Sequence, residues 1–124
     1  MQIDKELLDR LFEQAKNSPR LRMNYDLRTS SADTSQRMLN ALLPDTEVPI
    51  HRHEETTETV VCLCGRLEEI IYEEKEDGSF QEVSRHLLCP AVGCYGMQIP
   101  AGAWHTIRVL EPSVIFEAKD GAYR

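Results

Sequence analysis

The sequence has no apolar run near the ~20 residues that a membrane-spanning helix needs. Its opening stretch, Met1-Gln-Ile-Asp-Lys-Glu6, is polar and lacks the apolar segment of a signal peptide. Both absences predict a cytoplasmic protein. A basic excess is missing too: 14 Lys and Arg stand against 21 Asp and Glu, for a net charge of −7. The imbalance is local. Residues 1–44 carry seven basic and six acidic groups, residues 45–124 seven and fifteen. Nucleic-acid phosphates require a basic surface, so nucleic acid is excluded as a partner, and an anionic membrane is a poor match. Internal repeats, low-complexity tracts and linkers are absent, and 124 residues suffice for one domain with one modest core. Cysteine is limited to positions 62, 64, 89 and 94, which in a cytosolic chain read as free thiols.

What is present is organised by short apolar periods. Leu7, Leu8, Leu11, Phe12 and Ala15 recur at helical spacing behind Asp4, a good N-cap, and Asn17-Ser-Pro19 stops the run. This predicts a helix over 4–16. A polar loop, 29–35, precedes a strand at 36–43 that Pro44-Asp45 ends. Further strands are expected near 48–53, 58–64, 66–74, 80–88, 94–99, 104–110 and 113–118, with a hairpin turn at Asp77-Gly78. Short strands broken by Gly, Pro and Asp indicate a β-sandwich or barrel. The acid-dense run from Glu68-Glu69 to Glu76-Asp77 reads as a solvated hairpin. Cys62 and Cys64 share the parity of Glu58 and Val60, which puts both sulfurs inside as small filler. A soft-metal site with Cys89 or Cys94 is the alternative. Thr59, Val61 and Leu63 make the opposite face of the same strand largely apolar, so a helix, a second sheet or another subunit should cover it.

The residues that carry chemistry fall in two clusters. His51 and His53 flank Arg52, and period-two alternation sends both imidazoles to one face. Residues 54–57 would form a four-residue hairpin loop, bringing Glu58 opposite His53 on the returning strand. The second cluster, Pro100-Ala-Gly102-Ala-Trp-His105, places a third histidine after a Pro-x-Gly turn, where a rolled-up sheet can bring it alongside. Three imidazoles and one carboxylate suit a divalent transition metal: Fe, Mn, Ni, Co, Cu or Zn. Four protein ligands leave one or two positions for water or a substrate oxygen.

These clusters resemble the two motifs of the cupin superfamily. The first runs from His51 through His53 and Glu58 to Gly65, with Asp45 where a leading glycine would stand. The second includes Pro100, Gly102 and His105, with Cys94 and Val109 replacing its glycine and asparagine. Along its length the chain is similar to the WbuC-type cupin-fold metalloproteins. That likeness lies in the helix, Ser18-Pro-Arg-Leu-Arg-Met-Asn24, Gln36-Arg37-Met-Leu-Asn-Ala41, both motifs and Phe116-Glu-Ala-Lys-Asp-Gly-Ala-Tyr123. The resemblance implies a mainly β, single-domain cupin: a double-stranded β-helix, or jelly-roll barrel, with an N-terminal α-helix. Residues 1–44 would pack as helix and leading strand on a barrel of residues 45–124, one domain overall. It further implies a homodimer and a role in bacterial surface-polysaccharide (O-antigen) biosynthesis.

Arg22, Asn24, Gln36 and Arg37, polar groups in strand-like segments of that pattern, are candidates for the pocket wall and substrate contacts. No catalytic acid or base stands out. Glu54 and Glu55 belong to a loop, His86 lies far from both motifs, and Lys119 and Tyr123 sit near the end of the chain. The functional expectation is a metal-dependent enzyme, an isomerase/epimerase or an oxygenase, acting on a small oxygen-rich, sugar-related molecule. A non-catalytic metal- or ligand-binding module is the alternative, and fold resemblance alone does not choose between them.

Overall fold

The computed structural model describes residues 1–121. Asp4 starts the helix as the sequence suggests: its carboxylate accepts from the Leu7 amide at 2.9 Å, satisfying one of the donors a helix start leaves open. Helix α1 spans Lys5–Lys16 and ends at Asn17. Its apolar stripe, Leu7, Leu11 and Ala15, is buried against Leu39, Ala41 and Val114 of the sheet. Each leucine so buried contributes roughly 1.5–3 kcal/mol. The helix therefore closes the outside of the barrel with a second, smaller core.

Six strands follow among the described residues: β1 (Arg22–Asp26), β2 (Ser35–Leu42), β3 (Glu58–Glu74), β4 (Phe80–Leu88), β5 (Gly96–Ile99) and β6 (Trp104–Asp120). They pair antiparallel in the order β1-β2-β6-β3-β4, with β5 also on β3. The architecture is the mainly β cupin barrel with an N-terminal helix. Where the sequence suggests breaks at 65 and at 111–112, the chain runs on as two 17-residue strands. These strands bend rather than end. The β3–β6 register shifts between Cys62 and Cys64, Cys64 and Arg66, and Arg66 and Leu67. Such bulges sharpen the twist and let one strand serve two layers. Gly65, at the bend, has φ +96°, and a Cβ there would stand 2.3 Å from the Pro112 carbonyl oxygen. Only glycine fits that crossing.

The bend also corrects the expectation for the cysteines. Cys62 lies in the inner core with Val60, Leu67 and Ile115. Cys64 does not follow it inside, because the intervening shift turns it to the helix-facing cluster. Burial pushes the Cys62 thiol up to about 11, so it stays protonated and packs as filler. The four cysteines are free thiols, and the metal-ligating grouping found among the described residues uses none of them.

The 48–53 segment forms no named strand. Its one β-bridge joins His51 to His105. The reason lies in β3: Glu58 is already flanked by Ile99 of β5 on one side and Lys119 of β6 on the other. No slot remains beside β3 for a strand returning from 54–57, so the expected hairpin does not form. The outer face of β3 is also less covered than its apolar character suggests, with Leu63 still 38% exposed.

Candidate metal centre

The two histidine motifs are joined by the backbone. The His51 amide donates to the His105 carbonyl at 3.0 Å and His105 returns the bond at 2.8 Å, while the Gly102 amide donates to the His53 carbonyl at 2.8 Å. The Thr106 hydroxyl donates to the Val48 carbonyl, fixing the segment that leads in. Gly102 has φ +83°, the conformation its turn demands. Asp45, where the first motif would begin with glycine, has φ +76°. The departure is thus tolerated in conformation: Asp is among the few residues that enter the left-handed region readily.

With the strands so held, the ligand atoms of His51, His53 and His105 all lie within 4.8 Å of one another. Two of the rings are oriented by carbonyls: His51 Nδ1 is 2.9 Å from the Pro49 oxygen and His105 Nδ1 is 3.0 Å from the Ala103 oxygen. A ring that donates through Nδ1 keeps the lone pair of Nε2, the arrangement metal-ligating histidines use. Burial, countered by the Ala103 hydrogen bond, lowers the His105 pKa and keeps the ring neutral. Glu58 opens β3 beneath them, 6% exposed, with Oε2 at 3.1 Å from His53 Nε2 and 3.7 Å from His105 Nε2. That oxygen makes no hydrogen bond of good geometry within the described residues. Three imidazoles around an under-satisfied buried carboxylate oxygen fit a divalent metal.

The centre forms one wall of a cavity of about 180 Å³. Arg22 and Asn24 of β1 and Gln36 of β2 line it. Arg37 does not. Alternation places it on the face opposite Gln36, where its guanidinium pairs with Asp33 at 2.8 Å. His86 is exposed on β4 and Glu54 is tied to Arg52. Lys119 donates to the Gly121 carbonyl, and Tyr123 lies outside the described residues. Arg52 points away from the histidines, 4.5 Å over the Trp104 ring.

Two acids that the sequence reading passed over also line the cavity. Glu69, read there as part of a solvated hairpin, is 2% exposed. Burial and the neighbouring Glu58 and Glu117 carboxylates hold its pKa well above the usual range. Burial, the Glu58 charge and a hydrogen bond with Glu58 push Glu117 up to about 8. The signal was parity: Glu69 alternates with Leu67 and Ile71, and Glu117 with Ile115, all of which face the inner core.

Residues 3–85 match the family described as "Domain of unknown function (DUF6016)". The chain belongs to this DUF6016 family. The matched span holds His51, His53 and Glu58, while His105 lies beyond it. No curated protein matches the chain. Among solved structures, it is similar to the BH2720 protein of Bacillus halodurans, at 16% identity and a TM-score of 0.65, covering 100% of this chain and 84% of that one. It is similar to the cupin domain of Cnp3 from Schizosaccharomyces pombe, at 10% identity and TM-score 0.56, covering 82% and 65%. It also resembles the capsular polysaccharide assembling protein CapF of Staphylococcus aureus, at 16% identity and TM-score 0.62, covering 82% of this chain but 28% of that one. At these identities the likeness is one of fold, and the fold shared is that of the cupins.

Proposed function

We propose that this chain is a cupin that holds one divalent transition metal on His51, His53, His105 and Glu58 and acts as an enzyme on a small, oxygen-rich, sugar-related metabolite. The observation that carries the reading is the histidine trio. Its ligand atoms lie within 4.8 Å of one another, the outer nitrogens of His51 and His105 are anchored by carbonyls, and it opens on a polar cavity. A bound ion would supply Lewis-acid polarisation of a ligand oxygen. The chain's own residues do the rest. Asn24 and Gln36 offer hydrogen bonds to an occupant, and the buried carboxyls Glu69 and Glu117 are placed to hold or accept a proton inside the cavity. Support for the sugar assignment comes from the resemblance to the WbuC-type cupins and from the fold shared with CapF, itself a capsular polysaccharide assembling protein. A cytoplasmic location and a place in surface-polysaccharide biosynthesis belong to the same proposal.

The test uses Co as a spectroscopic reporter. Sugars, nucleotide sugars and hydroxyacids are added to Co-loaded protein, and each is then assayed for conversion. At least one compound should perturb the Co spectrum and be turned over. Spectral change without conversion for every compound would favour a non-catalytic binding module.

A further inference from the structure

Three buried acceptor oxygens belong to residues that line the cavity apart from the histidine trio. They are Gln36 Oε1 and Asn40 Oδ1 on β2 and Glu69 Oε2 on β3, and none has a hydrogen-bond partner among the described residues. Gln36 is 5% exposed and Glu69 2%. Buried polar atoms without partners are rare, and each costs stability. Here they are concentrated in one cavity, and each is an oxygen rather than an N–H. Their complement is an occupant rich in hydrogen-bond donors.

Size narrows the class further. The cavity, about 180 Å³, falls below the roughly 300–1,000 Å³ of pockets that take drug-sized ligands. Of the two arginines that line it, Arg22 is already engaged, donating to the Glu47 carbonyl at 2.8 Å. A nucleoside diphosphate is too large for that space.

Resting on the reading above that this cavity is the functional site, we propose that it takes an uncharged polyol of monosaccharide size or smaller. The hydroxyls of that polyol donate to Gln36, Asn40 and Glu69, and nucleotide-linked sugars are not its ligands. Gln36 and Asn40 are then specificity residues, their amide oxygens left for the occupant.

Calorimetric titration of the Co-loaded chain with D-glucose, D-mannose, L-fucose, myo-inositol and UDP-glucose tests this. At least one neutral polyol should bind at one per chain, and UDP-glucose should bind no tighter. The near-isosteric changes Asn40→Leu and Gln36→Met should each weaken that polyol about tenfold, the effect of one good hydrogen bond. Both variants should keep their Co and melt close to the parent temperature, since an unpartnered buried oxygen goes with the amide. Should Asn40→Leu fail to fold, Gln36→Met carries the same comparison. Tighter binding of UDP-glucose than of every neutral polyol overturns the proposal. So does silence from all four polyols up to roughly ten millimolar, or a lowered melting temperature with unchanged affinity. Those failures leave Co binding intact and so spare the metal reading. If Co itself does not bind, the metal reading falls, and the same titrations on metal-free protein decide the polyol proposal alone.

Discussion

At the scale of single residues, the site places acids where water is excluded, and Glu69 shows the consequence most clearly. Its carboxyl keeps a proton at pH values where the unfolded chain, with an ordinary value of 4.5, has released it. Unfolding in that range releases a proton, so the contribution of Glu69 to stability is full below 4.5 and is lost as pH rises toward the folded value. Glu117, pushed up to about 8, acts in the same direction. His105, lowered from 6.5, acts oppositely: its contribution is lost as pH falls. Comparing the metal-free parent with Glu69→Gln cancels the His105 part. Urea unfolding across the range from about 5 to 8 should show a shallower loss of stability with rising pH in the variant, which becomes the more stable chain at the alkaline end. Identical pH profiles would mean that Glu69 ionises as freely in the folded chain as in the unfolded one.

At the scale of elements, the bends decide what each strand can present. Gly65→Ala should destabilise by about 1–2 kcal/mol from the left-handed φ alone, and by more because the new Cβ meets the Pro112 carbonyl at 2.3 Å. Leu11→Ala, by contrast, should cost about 2–5 kcal/mol through the cavity it opens under α1. Thermal or urea melts read both. Loss of bound metal at full occupancy of the folded state is expected from neither.

The elements also show what was legible in the sequence. The helix was, because its N-cap, stripe and stop coincide at residues 4, 7–15 and 17–19. The histidine trio was, because spacing within each motif is local. The partner of the His51–His53 segment was not. Which strands occupy the two edges of β3 is a long-range matter, and β5 and β6 had filled them. Cys64 was misplaced because a register shift reverses parity without altering composition. Glu69 was misread because an acid-rich run is usually solvated, and only its alternation with Leu67 and Ile71 marked it as inward. Arg37 was separated from Gln36 by alternation itself.

At the scale of the whole molecule, the exposed part of the apolar face on β3 is the feature the single chain leaves open. Leu63 is 38% exposed and Tyr95, beside β5, is 62% exposed. We expect this face to be covered by a second copy, giving a homodimer. Light scattering at micromolar concentration should return twice 14.2 kDa. A mass of 14.2 kDa would reject the dimer and leave the barrel untouched. No helix among the described residues is long and apolar enough to cross a membrane.

We expect His51, His53 and His105, with Glu58, to hold one metal ion. The most direct measurement is elemental analysis of protein purified without chelators and reloaded in turn with Fe, Mn, Co, Ni, Cu and Zn. One equivalent per chain is expected for at least one of these metals. His53→Ala should lose most of that metal, while His86→Ala, altered on the exposed β4 surface, should keep it. Sub-stoichiometric metal under every loading condition, or equal loss from both variants, would contradict the account.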